Sequence, residues 1–333
     1  MWKSFFKEKV IPFLRLIGKP VAFFIDIVLI PITFVSGYFL FFYRWVGSKR
    51  FPLNTKLLKK IGIFPIRDNF YEPLFNDIHL KDSFQHKRIL SSIDFKLTNQ
   101  LSFLKQLNFQ EDFNNFLKEE NTKKNFRSFS LKNGSYGPGD AEFLYSFLRY
   151  SKPSRVIEIG SGNSTYIIKN ALFKNKLEGI SSEHICIEPF KDWLDNEENI
   201  TIIKEKLEDT DFNWKNILND GDFLFIDSSH MIRPQGDVLY EYLEIIPVLK
   251  PGVFVHIHDI FSPNDYPESW IKKDVRFWNE QYLLEALLTN NERYEIIASL
   301  NFLKHSNFDK LKIVCSSLDV KDEPGAFYFK IIK

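Results

Sequence analysis

The sequence predicts an α/β fold: a largely parallel sheet covered by helices on both faces, preceded by a membrane segment and a helical connector. Three observations carry this reading. Beyond Gly139, short apolar runs alternate with helical patterns, as in a sheet buried on both sides. The first of those runs ends in a glycine turn that opens a helix. Near the N-terminus, residues 21–43 form one apolar stretch of membrane-spanning length.

Taken in chain order, Trp2 to Ile17 places Phe5, Phe6, Val10, Phe13, Leu14 and Ile17 at roughly helical spacing between lysines, the pattern of an interfacial helix. Val21 to Tyr43 then reads VAFFIDIVLIPITFVSGYFLFFY, with one charge (Asp26) and one proline (Pro31). A spanning helix needs roughly 20 mostly apolar residues, so the length suffices. A secretory signal does not fit, because the run is too long and no small-residue cleavage site follows it. Soluble helices rarely stay apolar on every face for so long. Lys3, Lys7, Lys9, Arg15 and Lys19 precede the run, and Arg44, Lys49, Arg50, Lys56, Lys59 and Lys60 follow it. Charge therefore leaves the orientation open. Either a single span or a hairpin turning at Pro31 fits the pattern, and Asp26 makes a full span costly unless it is paired or near an interface.

Residues Phe51 to about Lys132 read as a mostly helical connector. Pro65 and Pro73 break it early, and LTNQLSFLKQLNF (97–109) then has helical spacing. The charged stretch Lys118 to Arg127 reads as a solvated helix end or loop. Charge is balanced, 44 Lys+Arg against 43 Asp+Glu, which gives no footprint for nucleic acid or an acidic partner. The 35 phenylalanines, many in the N-terminal third, suggest an apolar surface as well as a core. Two cysteines, Cys186 and Cys315, lie in strand-like runs and build neither a disulfide framework nor a zinc spacing.

The strands read as RVIEIG (155–160), HICIEP (184–189), ITII ending at Ile203, DFLFID (222–227) and VFVHIHD (253–259), with YEIIASL and AFYFKII closing the sheet. Helical patterns fall at Val238 to Leu249 and Phe277 to Thr289.

The chemistry concentrates at the ends of these strands. In Glu158-Ile159-Gly160-Ser161-Gly162-Asn163-Ser164-Thr165, the glycines let the backbone approach a ligand closely. Glu188, ending the second strand, is placed to accept hydrogen bonds from ribose hydroxyls. Asp227 ends the fourth strand, where open α/β sheets bind ligands, and His230 follows in the loop. Strand alternation puts His256 and His258 on one face and Asp259 on the other. His256 lies deeper and reads as a core histidine, whereas His258 and Asp259 can reach the cleft.

EIGSGNST followed by IEP resembles the first two motifs of class I S-adenosylmethionine-dependent methyltransferases. The resemblance implies a Rossmann-like sheet and S-adenosylmethionine as donor. It implies that Glu158, Gly160, Ser161, Gly162, Glu188 and Asp227 bind that donor. The dinucleotide oxidoreductase pattern lacks its third glycine, since Ile167 and Ile168 stand there. Metal-dependent catechol-type O-methyltransferases place aspartates where Asp227 and Asp259 stand, which makes these two candidate magnesium ligands. Ile260 departs from that pattern by replacing the asparagine that follows. Longer stretches, FPIRDNFYEPLF (64–75), GDAEFLY (139–145), PVLKPGVFVHIHDIFSPNDYP (247–267) and FWNEQYLLEALL (277–288), resemble a bacterial, membrane-anchored group of methyltransferase-like proteins. On this reading Gly139-Asp140 lines the donor's methionine end unless Asp140 is a helix cap, and Arg67 and Tyr71 either face the acceptor or serve the structure.

The expectation is therefore a membrane-anchoring segment (1–50), a connector and cap (51–138) and a donor-binding methyltransferase domain (139–333). His230, His258 and Asp259 are the expected catalytic residues, because a histidine suits removal of a hydroxyl proton near neutral pH. The expected acceptor is a small or lipid-linked molecule, such as a glycolipid or surface-polysaccharide precursor, met on the cytoplasmic face of a membrane. The alternative is a non-catalytic or differently reacting donor-binding module at the membrane.

Overall fold

The computed structural model describes residues 19–76, 79–80, 84, 87–122, 128–191 and 199–333. The chain divides into two compact units, Met1–Leu80 and Lys81–Lys333.

In the first unit, α1 (Lys19–Val46) is one helix that passes through Pro31 without a break. An interior proline removes one backbone hydrogen bond, yet the helix continues for about four turns beyond it. The hairpin turning at Pro31 is thus not formed. By length and composition Val21–Val46 can cross a membrane, and its residues are largely exposed, Tyr43 alone among them being buried. The phenylalanines there, Phe23, Phe24 and Phe34 among them, are exposed. After a 3₁₀ turn at Ser48–Arg50 comes α2 (Pro52–Ile61), with proline at its first position and Gly62 closing it at a φ of 89°. The Thr55 hydroxyl bonds the carbonyls of Ser48 and Phe51 and meets the Tyr43 hydroxyl, tying α2 to the end of α1. Arg44 and Arg67 converge on Glu72 at 2.7 and 2.9 Å. The Arg67 backbone N–H and these two guanidinium groups hold the Glu72 carboxyl down at about 2. Arg67 therefore has a bracing role in its own unit, and Tyr71 is open to solvent. The interfacial helix expected over 2–17 lies outside the described residues.

The second unit runs α3 (Leu97–Leu104), α4 (Gln110–Thr122), α5 (Asp140–Ser151), β1 (Arg155–Ile159), α6 (Asn163–Leu177), β2 (Glu183–Ile187), β3 (Thr201–Ile203), α7 (Trp214–Ile217), β4 (Phe223–Ile226), α8 (Asp237–Tyr240), β5 (Phe254–Ile257), α9 (Glu268–Lys272), α10 (Glu280–Leu288), β6 (Tyr294–Ser299), α11 (Leu300–Val314) and β7 (Phe327–Ile331). The sheet order is β3-β2-β1-β4-β5-β7-β6, with β1 to β5 parallel and β7 antiparallel to both neighbours. The Rossmann-like α/β sheet is present, and the order reverses between β1 and β4, opening a crevice at their carboxyl ends.

Period-two alternation divides the sheet into two cores. Val156, Phe223, Phe225 and Tyr328 face one layer with α5, α6 and α11. Ile157, Leu224, Ile226, Val255 and Phe329 face the other with α8 and α10. The boundary drawn at residue 138 falls inside this unit, because α3 and α4 complete the first layer. Phe116 stacks on Tyr145 with centroids 6.0 Å apart. Expected helices also shift locally. The pattern at 238–249 becomes α8, a π-helical turn (Glu241–Ile245) and a 3₁₀ turn (Ile246–Val248). The pattern at 277–289 starts only at Glu280, leaving Trp278 free to lie on His230 with ring centroids 4.3 Å apart. Helix α4 extends through Thr122, and 123–127 lie outside the described residues.

Candidate active site

Two groups of side chains meet at the β1–β4 crevice. The first surrounds a cleft of 330 Å³ lined by Gly160, Ile187, Glu188, Phe190, Leu207 and Asp227, among others. Glu188 follows β2 and is held rigidly. Its carboxylate accepts the Phe190 N–H at 2.9 Å and the Ser161 N–H at 3.2 Å, and pairs with Lys191 at 3.2 Å. Lys191 also donates to the Ser161 carbonyl, so the turn and the β2 tip are clipped together. Lys191, Phe190 and Leu207 were not singled out in the sequence, since nothing in their spacing marks them.

The glycine turn serves packing more than ligand approach. Gly160 has a φ of 78°, and a Cβ there would sit 2.0 Å from the backbone oxygen of Asp227. Its N–H and that of Asp227 bond the carbonyls of Ile187 and Ile159, so the turn is wedged between neighbouring strands. Gly160→Ala should therefore lower stability by about 2–5 kcal/mol, combining left-handed strain with overpacking. Urea unfolding checks this; an unchanged midpoint would mean the turn relaxes freely. Gly162 differs. Its backbone is extended, and an added Cβ would only graze the Lys191 amine at 3.5 Å.

Glu158 does not reach the cleft, contrary to its expected place among the donor ligands. It is fully buried under the turn, where its carboxylate accepts from Ser164 (2.7 Å), Thr165 (3.0 Å) and Cys186 (3.2 Å) and meets His184 Nε2 at 2.9 Å. A buried carboxylate needs such partners, and here they fasten β1, β2 and the start of α6. It braces the turn.

The second group stands at the ends of β4 and β5. His230 Nε2 lies 3.3 Å from Asp227 Oδ1 and 3.5 Å from Asp259 Oδ2. His258 Nδ1 lies 3.5 Å from Asp227 and 3.7 Å from Asp259. Behind them, His230 Nδ1 meets the buried Glu280 at 2.8 Å and His258 Nε2 faces Asp140 at 3.4 Å. Asp140 in turn accepts the N–H groups of Gly325 and Ala326; Gly139 is the N-cap of α5, and Asp140 is its first residue. All four expected residues converge, and Asp227 belongs to the cleft and to the cluster at once.

Asp259 reaches this cluster against strand alternation. Its φ of 58° ends β5 and turns the carboxylate back beside His258, and His230 has a similar φ of 59°. Aspartate and histidine tolerate this left-handed region better than most residues. His256 stays in the core, as expected: it packs against Phe225 and Tyr328 and faces the Tyr136 hydroxyl at 3.4 Å. Burial pushes its pKa well below the usual imidazole value, aided by His258. Burial also disfavours charge on His230 and His258. The carboxylates around them outweigh it, Asp227 and Glu280 for His230 and Asp259 and Asp227 for His258, and raise both well above the usual range. The same pairing overcomes burial at Asp227, where His258 and His230 hold the carboxyl well below its usual range. At Asp259 burial wins, and the carboxyl is raised.

Residues 157–260 match a family model described as a methyltransferase domain. The matched span runs from β1 to just past the end of β5 and takes in Glu158, Gly160, Glu188, Asp227, His230, His258 and Asp259. Similar solved structures include an O-methyltransferase from Bacillus cereus in complex with S-adenosylhomocysteine, at 12% identity and a TM-score of 0.34, covering 70% of this chain and 91% of the other. The plantazolicin methyltransferase BpumL, in complex with a triazolic desmethylplantazolicin analogue and S-adenosylhomocysteine, has 12% identity and a TM-score of 0.36, with 72% and 97% covered. A putative protein-L-isoaspartate O-methyltransferase from Plasmodium falciparum has 17% identity and a TM-score of 0.29, with 48% and 84% covered. The sequence matches none of the curated proteins.

Proposed function

We propose that the chain is an S-adenosylmethionine-dependent O-methyltransferase, anchored by α1, that acts on a small or lipid-linked acceptor at the cytoplasmic face of a membrane. The observation that carries this is the sharing of Asp227 between the Glu188-lined cleft and the histidine–aspartate cluster. Donor and acceptor must meet at one point, and Asp227 marks it.

Glu188 fits the donor's ribose, because two backbone N–H groups fix its carboxylate at the cleft wall. Ile187, Phe190 and Leu207 supply apolar surface for the rest. When bound, S-adenosylmethionine supplies a sulfonium methyl group to an attacking acceptor oxygen. His258 would accept that oxygen's proton at Nδ1, while Asp140 holds the ring through Nε2. Asp227, His230 and Asp259 are suited to a divalent cation, since one ligand atom from each lies within 4.8 Å of the others. Glu280 on His230 Nδ1 gives the carboxylate–histidine arrangement that orients a metal-bound ring. Ile260 is wholly buried and offers no oxygen, so this set favours a transition ion over magnesium. Such an ion would lower the pKa of an acceptor hydroxyl. It would also neutralise the carboxylates that otherwise keep protons on the histidines.

The membrane location rests on α1, long enough to span and exposed along almost all of its length. A cytosolic donor puts the catalytic unit on the cytoplasmic side, where a lipid-linked acceptor would meet it. Glu188→Ala should weaken S-adenosylmethionine binding while the protein stays folded, with a modest fall in melting temperature from the two backbone N–H groups left unpaired. Calorimetry on the full-length protein in detergent decides this, and unchanged affinity would remove Glu188 from the donor site.

A further inference from the structure

The segment after α1 has the shape of a second, shallower membrane contact. Leu53, Leu57 and Ile61 recur every fourth residue along α2, so they form one stripe. All three are exposed, Leu53 at 82%. Lys56 and Lys60 border the stripe on the helical wheel, and Lys59 lies beyond them. Lys49 and Arg50 precede the helix in the 3₁₀ turn. None of these five cations forms an ion pair among the described residues. Trp45, at the end of α1, is also exposed, at 69%. Tryptophan at a helix end suits the headgroup level of a bilayer. The Thr55–Tyr43 contact fixes α2 to the end of α1, so α2 begins where the apolar helix stops.

We propose that α2 lies in the headgroup layer of a leaflet rich in acidic phospholipid, with Leu53, Leu57 and Ile61 among the acyl chains and the lysines on lipid phosphates. The proposal rests on α1 being the anchor, and it names the lipid that the anchor's flank selects. Charge complementarity favours this occupant over a protein partner. Five cations with no ion pair among the described residues, beside an apolar stripe, match an anionic surface. In this position α2 adds a preference for anionic membrane regions to the hold that α1 supplies.

The test uses the full-length chain in vesicles of phosphatidylcholine with or without phosphatidylglycerol. A spin label at Leu57→Cys reports exposure to oxygen, which concentrates in the bilayer, against a water-soluble nickel complex. Cys186 and Cys315 are buried and should not label. With phosphatidylglycerol the label should turn from nickel-accessible to oxygen-accessible. Lys56→Gln, Lys59→Gln and Lys60→Gln together should reverse that, by roughly five-fold in the bound-to-free ratio per charge removed. A Leu57 label equally open to nickel in both vesicles would overturn the proposal. A label shielded from both reagents would overturn it in favour of a protein partner. A second label at Phe34→Cys reports on α1 separately from α2. If Phe34 reads as bilayer interior, failure at Leu57 concerns α2 alone. If Phe34 is open to nickel, the anchor fails and this proposal with it.

Discussion

Stripping divalent cations from the purified protein with a chelator should abolish methyl transfer, and a transition ion such as Mn²⁺ or Zn²⁺ should restore it better than Mg²⁺. The reason is the donor set. His230 Nε2 faces the carboxylates of Asp227 and Asp259 while Glu280 takes its other nitrogen. An all-oxygen ion gains little from an imidazole, whereas borderline ions bind it well. Asp227→Asn and Asp259→Asn should each lose nearly all transfer. Glu280→Gln, one step removed, should weaken metal affinity by about 10–100-fold and be rescued by excess ion. Rescue is the decisive readout, since a merely structural Glu280 would not respond to ion concentration. Full activity in chelator would eliminate the ion and leave the cluster to its histidines.

Second in size is the loss expected from His258→Ala. General-base help is worth roughly 10²–10⁴-fold, so kcat should fall by that range while donor affinity holds. Asp140→Asn should give a smaller fall, because Asp140 only orients the ring through Nε2. Should His230→Ala cost more than His258→Ala even with saturating ion, the proton would belong to His230 and the two histidines exchange roles. Equal wild-type rates in both variants would mean that the cluster is structural.

The sheet was legible because a strand buried on both faces leaves an apolar run, and each run here is bounded by turn residues. The ends of β1, β2, β4 and β5 were legible too, since polar residues there break the apolar pattern. Glu158 misled because a carboxylate near a glycine turn reads like a ligand contact. Its true partners, Ser164, Thr165, His184 and Cys186, become neighbours only after folding. Asp259 was expected at the cleft from its place at the strand's end, but the left-handed turn that brings it beside His258 is not visible in the alternation. Glu280 and Trp278 escaped notice for a different reason. They stand about 50 residues from His230 in a pattern that resembled plain amphipathic helix, and only the late start of α10 brings them to the imidazole. In sequence α3 and α4 resemble a separate helical cap, whereas in the structure their aromatic residues pack into the sheet's own core.

The most direct test of methyl transfer is to supply methyl-labelled S-adenosylmethionine to membranes holding either the wild-type chain or Asp227→Asn, and to follow label into extracted lipids and small molecules. The expected result is a labelled, alkali-stable ether product with the wild type and only background with the variant. Equal labelling by both, or none from wild-type membranes that bind the donor, would contradict a transferase centred on Asp227.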